Sequence, residues 1–77
     1  MNKARRDSIR HLASQLEALR SELEDIQNEE EEYRDNIPEN LQGSERYEKA
    51  DEACDTLSEA VEGLEDIITS LSELAEG

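Results

Sequence analysis

Seventy-seven residues make at most one domain, and a chain this short buries a smaller share of its unfolded surface than a larger one does. With no Trp, no Phe and only two Tyr, bulky core material is scarce, and self-association is one usual remedy for a small core. The formal charge of −14, from 22 acids against 8 bases, disfavours direct contact with nucleic acid or an anionic membrane and makes a basic protein surface the expected partner.

The chain starts Met1-Asn2-Lys3-Ala4-Arg5-Arg6, which is basic, but no apolar h-region follows, so it does not read as a secretory signal. No apolar run approaches the roughly 18 residues of a membrane span. The single cysteine, Cys54, excludes an intramolecular disulfide. A cytoplasmic protein is the expectation.

The first predicted element is a helix over about residues 3–34. Its apolar positions are Ile9, Leu12, Leu16, Leu19, Leu23 and Ile26, in steps of three and four. That is a heptad seam with Ile9, Leu16 and Leu23 at a and Leu12, Leu19 and Ile26 at d. The count continues through Glu30 at a, Tyr33 at d and Ile37 at a. Glu30 is the one break, inside the acid run Glu29–Glu32.

A connector over 35–44 follows. Pro38 disfavours a helical Ile37 and ends the first helix. Pro38 to Gln42 forms one short helical turn, with Gly43 as its stop. Ser44 is a good N-cap, and Glu45 and Glu48 suit the positive first turn of the next helix.

The second helix is predicted over about 45–75. Tyr47, Cys54, Val61, Ile68 and Ala75 fall at a; Ala50, Leu57, Leu64 and Leu71 fall at d. A further row stands at g: Ala53, Ala60, Ile67 and Leu74. Gly63 falls at c, on the outside. Two helices of near-equal length predict an all-α, antiparallel two-helix hairpin. Tyr33, Ile37, Leu41 and Tyr47 are placed to plug its loop end. One a/d seam does not use the g row, which predicts a homodimeric four-helix bundle with Ala53, Ala60, Ile67 and Leu74 at the interface.

Charge is segregated along the chain. Residues 1–20 carry five bases and two acids; residues 21–77 carry three bases and 20 acids, a net −17. Pairing of the basic start with Asp66, Glu73 and Glu76 near the end of the second helix is expected to fix the register. Outward positions b, e and f of the second helix form a carboxylate face, in which Glu48, Asp51, Glu52, Asp55, Glu59 and Glu62 are the candidate partner-binding residues. On a rod of roughly 45 Å, −17 is about one charge per 2.6 Å, against about 1.7 Å in duplex DNA. That pattern suits a nucleic-acid mimic; the alternative is a solvated helix face that keeps the rod soluble, although the charge exceeds the magnitude of about 2–8 that solubility needs.

Catalytic chemistry is not in view. His11 is the only histidine, so no Glu-x-x-His pair exists for a di-iron site, and the acid run lacks the alternating ligands and glycine of a calcium loop. Cys54, at an a position, reads as a small core residue. No cofactor or metal is expected, and the chain reads as a non-enzyme.

Taken whole, the chain resembles a group of small acidic helical-hairpin proteins of Gram-positive bacteria, their phages and mobile elements. The connector Asn36-Ile37-Pro38-Glu39-Asn40-Leu41-Gln42-Gly43-Ser44-Glu45 is its most specific part. The resemblance implies a context in which small acidic proteins often block host defence or host nucleic-acid enzymes, some of them by imitating DNA, and it carries no functional residues over. With the charge pattern it leads to the expectation of an inhibitor. The alternative is a structural or assembly coiled coil acting through homo-oligomerisation.

Overall fold

The computed structural model describes residues 1–77: helix α1 over Lys3–Asp35, a 3-10 turn over Glu39–Leu41, and helix α2 over Glu45–Glu76. The two helices pack antiparallel as a hairpin, and the Cα trace measures 59 × 14 × 13 Å. No helix is long and apolar enough to cross a membrane.

Each helix start is capped by a side chain. Asn2 Oδ1 accepts the Arg5 N–H at 2.8 Å, and Ser44 Oγ accepts the Tyr47 N–H at 3.3 Å, each satisfying a donor the helix leaves free. Glu45 and Glu48 then stand in the positive first turn of α2. The α1 first turn has no acid, so its basic residues oppose the helix dipole. Pro38 lies in the interruption between the helices, and the Leu41 N–H donates to the Pro38 carbonyl at 2.8 Å to form the short turn. Gly43 does not use the left-handed conformation expected of a helix stop, since no residue has positive φ. At the loop end only Ile37 is buried. Tyr47 is half-buried, whereas Tyr33 and Leu41 are exposed rather than plugging the bundle.

The seam differs from the expected one on α1. Its covered residues are Arg6, Ile9, Ala13, Leu16, Arg20, Leu23, Gln27, Glu30 and Arg34, which are the a and e rows, with Glu31 at b beside them. The d row, Leu12, Leu19, Ile26 and Tyr33, lies outside. On α2 the a row is central, with Cys54, Val61 and Ala75 buried, together with Ala50 at d.

Cross-helix hydrogen bonds explain the rotation of α1. Arg34 Nη1 donates to Asp51 Oδ1 at 3.0 Å, Arg20 Nη1 to Glu65 Oε1 at 3.5 Å, and Arg10 Nη2 to the Ala75 carbonyl at 2.9 Å. The residue numbers in each pair add to 85, so one antiparallel register satisfies all three. Arg20 and Arg34 are two heptads apart on α1, as Asp51 and Glu65 are on α2. Turning the d row inward would carry both arginines away from their carboxylates. The arginine stems also cover apolar surface while their heads reach water. Register is therefore held by Arg20 and Arg34; Lys3, Arg5 and Arg6 form no ion pair with Asp66, Glu73 or Glu76.

Reversing both arginines (Arg20→Glu with Arg34→Glu) should lower the thermal midpoint, and adding Asp51→Arg and Glu65→Arg should recover most of the loss. Circular dichroism melts of the three proteins check this. A Cβ at Gly63 would meet nothing within 4 Å. Gly63→Ala should therefore stabilise the fold by roughly 0.5–1 kcal/mol in urea unfolding.

Candidate functional site

The register sorts the hairpin's long sides by chemistry. On one side, α1 rows b and e meet α2 rows e and b. A shallow groove of about 390 Å³ there is lined by Arg10, Ala13, Ser14, Glu17, Ile68, Ser72 and Glu76. Ion pairs gather along this side: Arg20 reaches Glu17, Glu24 and Glu65, and Arg34 reaches Asp35 and Asp51. Hydrogen bonds to Glu17 and Glu24 raise the Arg20 pKa; those to Asp35, and then Asp51, raise that of Arg34. Both guanidiniums stay charged, which is what a register lock needs.

The opposite side is apolar. A groove of about 600 Å³ runs between Leu12, Leu16, Ala18 and Leu19 of α1 and Leu71 of α2, with Gln15 and Glu22 at its edge. Nearer the loop, the Arg46 guanidinium sits over the Tyr33 ring, 5.9 Å from its centroid. These contacts place the α1 d row and the α2 d and g rows on one face. Of the expected interface residues, Ala53 is half-buried, and Ala60, Ile67 and Leu74 are exposed on this face. Leu12, Leu19 and Ile26 stand with them, each 51–55% exposed. The a/d pattern assigned these three to the internal seam. The Arg20 and Arg34 spacing on the e row is the sequence signal that they face out.

The carboxylate face occupies rows b and f of α2. Glu48, Glu52, Asp55, Glu59 and Glu62 are exposed and form no ion pair. Asp51 is different: it is half-buried, and Arg34 holds it 3.0 Å away. Across the molecule seven of the 22 acids are in ion pairs, leaving fifteen free. With the rod 59 Å long, the −17 of residues 21–77 amounts to about one charge per 3.5 Å, sparser than the 2.6 Å expected for a shorter rod. Duplex DNA, at about 1.7 Å per charge, is twice as dense.

No group of three or more His, Cys, Asp or Glu side chains is placed to hold a metal ion. Cys54 is buried in the seam, and burial raises its thiol pKa, with Arg34 opposing and Glu31, Glu30 and Asp51 adding to the rise. Glu30, the break in the heptad pattern, is half-buried. No protein-family model, curated protein or solved structure matches the chain.

A raised thiol pKa has a sign that can be measured. The folded state holds the Cys54 proton more tightly than the unfolded chain, whose thiol titrates near pH 8.5. That contribution is complete below about pH 8.5 and is lost as pH rises through the folded value. Wild type should therefore lose stability relative to Cys54→Ala on going from pH 8 to pH 10.5, read as urea midpoints. At pH 8 the native thiol should react with Ellman's reagent far more slowly than the unfolded one.

Proposed function

We propose that this chain is a non-enzymatic binding protein whose α2 carboxylate face docks on a basic, nucleic-acid-binding surface of another protein, as a partial mimic of the nucleic acid. The observation that carries the reading is the row of unpaired carboxylates at Glu48, Glu52, Asp55, Glu59 and Glu62, fixed to one rigid helix. Their place on one side follows from packing on the other, so it is their number that bears on function. A small domain needs a net charge of only about 2–8 for solubility, and this chain carries −14.

The helix fixes the spacing of these groups. Residues three and four apart on a helix lie about 5–6 Å apart at Cβ. Glu48, Glu52, Asp55, Glu59 and Glu62 follow one another at steps of four and three. They form a regular line of anions at a spacing comparable to successive phosphates along a strand. A groove lined by Lys and Arg would gain attraction along the whole line, and complementary fields also speed encounter. Resemblance to the small acidic hairpins of Gram-positive phages and mobile elements supports a host defence protein or nucleic-acid enzyme as the target.

Displacement of a fluorescent DNA duplex from purified basic DNA-binding proteins tests the proposal. Wild type should displace the duplex from its target, and its affinity should fall by at least about 100-fold between 50 and 200 mM salt. The variant Glu48→Lys/Glu52→Lys/Asp55→Lys/Glu59→Lys should lose displacement while keeping its helical circular dichroism. Asp51 is left intact because it pairs with Arg34. Displacement that ignores salt, or that survives the four reversals, sinks the reading.

A further inference from the structure

We infer that the apolar face formed by the α1 d row and the α2 g row is covered by a second copy of this chain, with α1 of each copy laid along α2 of the other and both loops at the same end. Area is the first argument. A compact monomer of 8.8 kDa exposes about 4,800 Å², whereas this hairpin exposes 5590 Å². The excess of roughly 800 Å² equals what one partner contributes to a standard interface, about 800 Å². No large side chain is fully buried within the hairpin, so its own seam leaves much of the apolar surface wet.

Charge is the second argument. All eleven carboxylates of α2 lie at b, e or f; rows c and g carry none. A helix so acidic that keeps one side free of acid is sparing that side for contact. Its rim on this side carries the only two bases of α2, Arg46 and Lys49. On α1 the corresponding rim is acidic toward the loop, with Glu22, Asp25, Glu29 and Glu32. A two-fold axis along the rod lays each acidic α1 rim on an acid-free α2 rim. No like-charged rims meet.

Size is the third argument, and it fixes the orientation. The two-fold preserves height along the rod, so residues level within one hairpin are level across the pair. Toward the loop this sets Tyr33 over Ala53 and Ile26 over Ala60. Toward the termini it sets Leu19 beside Ile67 and Leu12 beside Leu74. The residue numbers of all four pairs add to 86, close to the internal register. Large side chains therefore meet small ones near the loop, where α1 carries the bulk, and aliphatic ones meet aliphatic ones elsewhere.

Sedimentation equilibrium on the full chain, from 5 to 100 µM, should return twice the 8.8 kDa monomer mass. Leu12→Gln/Leu19→Gln/Ile67→Gln/Leu74→Gln should raise the dissociation constant at least ~100-fold, whereas Glu52→Gln/Asp66→Gln should leave the dimer intact. Should the four-site variant fail to fold, cross-linking decides instead. Chains carrying Ile26→Cys and Ala60→Cys, each with Cys54→Ala, are mixed with a short bis-maleimide. One should link to the other, and neither should link to its own kind. A monomeric wild type at 100 µM overturns the inference, as does a dimer that survives the four glutamines or links Ile26→Cys to itself.

Discussion

The pairing of Arg20 with Glu65 and Arg34 with Asp51 is the constraint on which the rest of this hairpin depends. Two cations two heptads apart meet two anions two heptads apart. A shift of one heptad would set Arg20 against Ser58 or Ser72, and Arg34 against Ser58. An exposed ion pair contributes little stability by itself. Its value here is selective: among the registers that bury similar apolar surface, one satisfies both arginines. The same pairs set the rotation of α1 about its axis, because they draw the e row toward α2. The d row must then turn outward.

Core composition allows this rotation. Ala13, Ala50, Cys54, Val61 and Ala75 are the small residues at the centre of the seam, and their size lets the helix backbones approach closely. Larger side chains flank the seam instead of filling it: Leu16 and Leu23 on α1, Leu57, Leu64 and Leu71 on α2, all half-buried. Two helices share a single line of contact, so they can cover only one strip of each apolar face. The α1 stripe spans rows a and d, and the α2 stripe spans a, d and g. The surplus on both helices falls on the same side because the ion pairs occupy the other.

Much of this was legible in the sequence, and what was not has a physical reason. Steps of three and four gave both helices, Pro38 marked the break between them, and Ser44 marked the second start. The Asn2 cap was legible too, as an N-cap residue immediately before Lys3, although the basic turn that follows it is the opposite of what a helix start favours. The a/d rule misplaced Leu12, Leu19 and Ile26. Periodicity reports which side of a helix is apolar; it does not report which edge of that side the partner touches. That choice was made by e-row arginines, whose long side chains act at a distance the heptad pattern does not encode. Asp51 shows the same limit from the other helix. It shares outward positions with Glu52 and Asp55 in the pattern, yet Arg34 claims it.

Acid placement and apolar placement therefore reinforce each other. Fifteen unpaired carboxylates on one rod repel, which penalises the compact state. Gathering those of α2 on rows b and f confines that repulsion to one side and leaves the other free for packing. A single hairpin carries 14 net charges along 59 Å, about one per 4.2 Å. Two hairpins joined through their apolar faces carry 28 along the same length, about one per 2.1 Å, with the carboxylate rows turned to opposite sides. That density approaches the roughly 1.7 Å of duplex DNA, which one hairpin does not. Imitation of a duplex by this chain thus calls for the pair. Under the proposed docking, the leucines that one hairpin leaves in water would set the charge density that the carboxylate face presents.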